Sequence, residues 1–248
     1  MTIPDLKTYL TYIFYVLVFV NVVAGVVVWQ KRKHFANSSI VWLGQMIGYL
    51  SILAIMEWLL LDYIWVKSSV FYPDINPVFN RLQIQDTNFI GSISYFVRFV
   101  FLGLFFRDAI GDAFTKKFFQ VAIILLVIFE LVHVFVFKSY QGYDSLSSTI
   151  KNILIIGGVG LFLYKFYHTY IGQVLFVQNP YFWISLGLLF PAFCEIFLEF
   201  IFSKLYNTDE AMFYKLYIVR NITQVLGFVL LAVGFWKAKY LRFLPKEY

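Results

Sequence analysis

The chain has 248 residues, of which 61% are hydrophobic, 22% aromatic and 14% charged. A water-soluble domain carries about 45–50% apolar and about 25% charged residues, so that class is excluded, and 6 Pro and 14 Gly are too few for a disordered or fibrous chain. The net charge of +6 does not point to nucleic acid, because the cations gather beside long apolar runs, where anionic lipid headgroups are the natural partner.

Seven stretches reach the roughly 20 apolar residues that a helix needs to cross a hydrocarbon core. They are Thr8–Trp29, Ile40–Trp65, Phe89–Phe106, Phe118–Phe137, Leu146–Lys165, Pro180–Ser203 and Phe213–Trp236. Runs such as Val121–Ile128 are apolar at every position and lack the alternation of a membrane β-strand. The basic cluster Lys31-Arg32-Lys33 follows the first run instead of preceding it, unlike a cleaved leader. The expected fold is an all-α membrane protein, a seven-transmembrane-helix bundle forming one polytopic domain over residues 1–248.

Orientation follows from the cations at the two ends of the spans. With the N-terminus outside, the inner side holds eleven Lys and Arg, including Lys31, Arg32, Lys33, Lys116, Lys117, Lys237, Lys239, Arg242 and Lys246. The outer side then holds six, namely Lys7, Lys67, Arg81, Lys138, Lys204 and Lys215. The positive-inside rule therefore expects the N-terminus outside and the C-terminus cytoplasmic. Cys194 is the single cysteine, so no intrachain disulfide forms, and with no sorting signal visible a bacterial inner membrane is expected. The connections are too short for a catalytic or nucleotide-binding domain, so output is expected to pass through a protein partner in the membrane or cytoplasm. The exception, Val66–Asn88, is either a lid over the outer mouth or a tether.

Ionisable residues inside spans are costly and usually face the bundle interior. Here they are Glu57, Arg98, Glu130, His133, Lys151, Glu195, Glu199 and Arg220, with Asp62 nearer a span end. At 1.5 Å of rise per residue, the first eight lie roughly 6–14 Å from the outer end of their helices. Glu195 and Glu199, Glu130 and His133, and Arg220 and Gln224 share helix faces by their spacing of three or four. Ser148, Lys151 and Asn152 make a further polar stripe, and Asn221 adjoins Arg220. These faces are expected to converge on one cluster, with Arg98 paired to Glu57 or Glu130 and Arg220 to Glu195 or Glu199. Such a cluster is a set of interhelical ion pairs, a pocket for a polar or zwitterionic ligand, an ion or proton path, or a metal site. Glu130 and His133 match one half of the Glu-x-x-His pattern of di-iron bundles, without a second half. Pro191, one turn before Glu195, is expected to kink the sixth span and act as a hinge or a static bend, with Gly187 leaving room. Tyr63, Trp65, Tyr181, Trp183 and Trp236 are expected at the aromatic belts, and Gly157, Gly158 and Gly160 at a close helix contact.

Several membrane chemistries lack their residues. Lys215 lies at the edge of the seventh span, where a retinal lysine would be deep. The three histidines, His34, His133 and His168, fall at opposite ends of the spans and cannot share one zinc ion. Tyr143-Asp144 is not accompanied by the G-x-G-D motif of intramembrane aspartyl proteases, and neither a G-x-S-G nucleophile nor a P-loop is present. No cofactor is expected.

The stretches 143–156, 179–189 and 221–237, from YDSLSSTIKNILII through NPYFWISLGLL to NITQVLGFVLLAVGFWK, resemble a family of small seven-span proteins of Bacteroidetes-type bacteria. The resemblance covers about 100 residues and implies seven helices and a bacterial inner membrane, and it supplies no catalytic residue. The leading expectation is a non-enzymatic protein that senses or binds a small polar ligand and signals through a partner. The alternatives are a structural subunit whose charges are interhelical staples, and a metal-dependent intramembrane enzyme.

Overall fold

Backbone polar groups in lipid must be satisfied within the segment, and the apolar runs accordingly fold as helices. A computed structural model describes residues 3–64, 69–84, 87–142, 144–170 and 176–243, apart from the side chains of 167–170, 176, 203, 206, 207, 242 and 243. Trp65, Val66, Lys67, Tyr143 and Lys246, and the side chains of His168, Ser203 and Arg242, lie outside the described residues. The helices are α1 (Ile3–Lys31), α2 (Ile40–Leu59), α3 (Tyr72–Arg81), α4 (Asn88–Ile110), α5 (Ala113–Phe135), α6 (Ser145–Tyr170), α7 (Pro180–Thr208) and α8 (Glu210–Trp236). All but α3 are long and apolar enough to span a membrane, and no strand occurs among the described residues.

The spanning helices run up and down, so one end of the bundle gathers the starts of α1, α4, α6 and α8. That end is termed the N-face and the opposite end the C-face. At the N-face, Lys7 pairs with Glu210 at 3.2 Å. Six helices close a ring in the order α8, α1, α2, α4, α6, α7 and back to α8, while α5 stands outside it and packs mainly on α4. Phe99, Phe105, Phe106 and Phe235 are fully buried in the core, and Phe106 meets Phe119 of α5 at a ring separation of 5.6 Å.

Helix ends follow from local chemistry. Gly111 ends α4 in the left-handed region at φ 77°, which glycine adopts without strain. Asp112 then caps α5, accepting from the Thr115 backbone N–H at 2.8 Å and its hydroxyl at 2.7 Å. Lys165 of α6 pairs with Asp112 and donates to the Ile110 carbonyl at 3.3 Å, placing a cation at the negative end of α4. Asn179 caps α7 with Pro180 at its first position, and Asp209 caps α8 through the Met212 N–H at 2.9 Å.

Three expectations need correction. Of the three glycines in α6 only Gly158 makes a close contact, where a Cβ would fall 2.4 Å from the Phe106 ring, and nothing lies within 4 Å of a Cβ on Gly157 or Gly160. The tightest backbone approach is between α7 and α8: a Cβ on Gly187 would sit 2.9 Å from the Gly227 carbonyl, and one on Gly227 2.4 Å from Pro191 Cγ. Gly187 therefore makes room for α8, and the Pro191 ring seats against Gly227. Tyr181 is a core residue, buried with its hydroxyl 3.3 Å from Ser39 Oγ, because α6 and the turn before α2 cover the start of α7. Tyr63 and Trp236 do face outward.

Two outcomes follow. Gly227→Val should lower the Tm in detergent by several degrees while Gly157→Ala leaves it unchanged; equal effects would remove the close α7–α8 approach from the account. The Lys165 ammonium, with the two Thr115 donors, holds the Asp112 carboxyl well below the usual carboxylate range. A lowered folded-state pKa stabilises above the unfolded pKa and is lost as pH falls through the folded one. Asp112→Ala should therefore cost about 0.5–2 kcal/mol at neutral pH, and the gap to wild type should narrow in melts taken below about pH 4.

Candidate functional site

The sequence places a lysine and a glutamate on facing helices inside the ring, and burial forces them together. Lys151 of α6 and Glu195 of α7, both almost fully buried, form an ion pair at 2.5 Å. The second oxygen of Glu195 accepts from Gln224 Nε2 of α8 at 2.6 Å, so one carboxylate joins three helices. Arg220 of α8 lies 3.7 Å from Glu199 of α7 and 5.4 Å above the Tyr217 ring. Of the expected pairings, Arg220 with Glu199 therefore holds. Arg98 does not pair as expected: no carboxylate among the described residues lies within 4.0 Å of it, and its buried Nε has no hydrogen-bond partner there. Glu195 is taken by Lys151, and Glu57 at the end of α2 accepts from Thr87 Oγ1 at 2.8 Å.

These side chains line connected space in the N-face half of the bundle. A cavity of about 530 Å³ is bounded by Glu57, Asp62, Tyr95, Arg98, Lys151, Tyr217, Arg220, Asn221 and Gln224, with Thr11 and Tyr15 of α1 at its edge. A second, of about 230 Å³, shares Glu57, Arg98 and Arg220 and extends to Asn88, Gly142 and Asp144. Deeper, about 40 Å³ is enclosed by Arg98, Lys151, Asn152, Pro191, Glu195 and Gln224. Asn152 is fully buried and neither of its side-chain polar atoms has a hydrogen-bond partner among the described residues. A space of this size, mainly apolar but edged by these polar side chains, has room for about one water, a partner such an amide can use. No described residue of α3 lines these spaces. The connection before α4 is tethered laterally, through Gln141 Nε2 to Gln83 Oε1 at 3.2 Å.

Glu130 and His133 do not join this cluster, because α5 lies outside the ring. They meet the start of α6 instead. Glu130, fully buried, accepts from Ser147 Oγ at 2.7 Å, and His133 Nδ1 lies 3.3 Å from Asp144 Oδ2. In the sequence Asp144 stands out only as half of a protease motif and Ser147 not at all, although Asp144 three residues before Ser147 is a helix-capping arrangement, and its carboxylate accepts the Ser147 N–H at 2.9 Å. Asn21 and Ser51 join α1 to α2 through Ser51 Oγ to Asn21 Oδ1 at 3.1 Å. Both are small polar residues in apolar runs, with no charge to draw attention.

Comparison of the chain with protein-family models, curated proteins and solved structures finds no match.

Breaking a buried pair strands a charge at about 3–5 kcal/mol. Lys151→Met should accordingly destabilise strongly, and Lys151→Met with Glu195→Gln should recover much of the loss in thermal melts. Additive losses would mean that the two side chains do not act as a pair.

Proposed function

We propose that the protein is a non-enzymatic receptor-like protein of a bacterial inner membrane, N-terminus outside, whose N-face cavity binds a small zwitterionic ligand and whose C-face signals through a partner protein. Arg98 carries this reading. A guanidinium lining a cavity with no ion pair among the described residues has the geometry to hold a carboxylate or phosphate in a bidentate fork. Glu57 and Asp62 line the same space and supply negative charge for an ammonium group. The volume of about 530 Å³ falls within the roughly 300–1,000 Å³ of small-molecule sites. The excess of Lys and Arg at the C-face supports a cytoplasmic C-terminus, and the resemblance of the C-terminal half supports the bacterial setting.

Transmission runs through α7. A ligand anion drawn to Arg98 competes for the neighbouring Lys151, whose partner Glu195 stands one turn after Pro191, and Pro191 abuts Gly227 of α8. Rearrangement at Glu195 therefore reaches the α7–α8 contact that continues toward the C-face.

The test is a thermal-shift panel of amino acids, betaines and phosphorylated amines on the detergent-purified chain. A subset should raise the Tm of wild type and of Glu130→Gln, whereas Arg98→Gln should keep or raise the unliganded Tm and lose the shift. Identical shifts in Arg98→Gln would overturn the reading. A stoichiometric co-purifying assembly with no ligand shift would favour the alternative of a structural subunit, which the Lys151–Glu195 and Arg220–Glu199 pairs also fit as interhelical staples.

A further inference from the structure

We infer that Glu130, His133 and Asp144 form a binding site for a divalent first-row metal ion, of the Zn²⁺ or Mn²⁺ type, at the N-face junction of α5 and α6. The inference does not depend on the ligand cavity. One ligand atom from each of the three residues lies within 4.8 Å of the others. Closure on a common ion at about 2.0–2.2 Å brings donors to about 3.0–3.6 Å of one another, which side-chain rotation on the order of 1 Å achieves.

The state of the carboxylates is the second observation. Glu130 is fully buried and its Oε1 has no hydrogen-bond partner among the described residues; the Asp144 side chain is 5% exposed and its Oδ2 faces only His133 Nδ1 at 3.3 Å, a nitrogen that also lies 3.2 Å from Ser147 Oγ. No Lys or Arg among the described residues lies within 4.0 Å of either carboxylate; the one basic group there is His133. Two carboxyl groups share one imidazole here, so when both ionise they lack a balancing cation, which a divalent ion would supply.

The opposite oxygen of each carboxylate is already held. Glu130 Oε2 accepts from Ser147 Oγ and Asp144 Oδ1 from the Ser147 N–H, which leaves Oε1 and Oδ2 as the donors. This is how outer hydrogen bonds orient ligating carboxylates. His133 is steadied by stacking on Phe129, with ring centroids 5.4 Å apart at 19°. One imidazole nitrogen with two carboxylate oxygens suits Zn²⁺, Mn²⁺ or Fe²⁺ and disfavours Cu⁺. Gly142 and Asp144 line the 230 Å³ cavity, which gives an ion its route in. The site would staple α5, held mainly by α4, to the first turn of α6.

The test uses the full chain in mild detergent, stripped with chelator and titrated with Zn²⁺ and Mn²⁺, reading bound metal by mass spectrometry after gel filtration and Tm in parallel. One equivalent per chain and a raised Tm are expected. Glu130→Gln and Asp144→Asn should each lose the equivalent, Ser147→Ala should weaken it about tenfold, and Arg98→Gln should retain it. Co²⁺ added to wild type should give d–d absorption that Glu130→Gln abolishes. Sub-stoichiometric binding by wild type would overturn the site, as would an undiminished equivalent in Glu130→Gln. The wild-type titration decides even where a variant fails to fold.

Discussion

The structure depends on the cost of charge in lipid. Lys151, Glu195 and Arg220 are nearly or fully buried in a ring of apolar helices, and each must find an opposite charge on a neighbouring helix. Glu195 meets this constraint for three elements at once, taking Lys151 on one oxygen and Gln224 on the other. The rotation of α6, α7 and α8 about their axes is thereby set: turning any one of them would strand a charge. Apolar packing between membrane helices is undirected by comparison, since lipid tails are as apolar as leucine.

Where polar contacts fix rotation, small residues set separation. Gly187 and Gly227 bring the α7 and α8 backbones together beneath the cavity, so the helices are closest where apolar contact takes over from ion pairs. Above that point the polar side chains need volume, and the ring opens into the cavity lined by Arg98 and Glu57. The small deep pocket at Asn152, between the two regimes, is where the cavity narrows onto Pro191.

Much of this was legible in the sequence. Seven helices follow from run length alone, and the placement of the charges in one half follows from helix rise. Spacing brought Glu195 and Glu199 onto one face, so pairing with α8 was readable to within one turn. Two features were not. That α5 stands outside the ring depends on which helices pack, and this is set by shape, such as Phe106 against both Gly158 and Phe119. Hence helix rise alone puts Glu130 in one cluster with Arg98, and only the packing of α5 separates them. The partner of His133 came from a connection, Asp144, whose charge reads as ordinary loop polarity until the turn at 139–141 folds it back.

α6 is the element that both clusters share. Ser147 and Lys151 are one turn apart on it, about 6 Å of rise, the first bonded to Glu130 of α5 and the second to Glu195 of α7. Residues spaced by four share a face, so a change in the tilt or rotation of the first turn of α6 moves both contacts together. An ion held by Glu130, His133 and Asp144 would fix that turn, and with it the position of Lys151 beside Arg98. Coupling between sites requires an element that both bias, and the start of α6 meets that requirement, with Ser147 on Glu130 and Lys151 one turn further on Glu195.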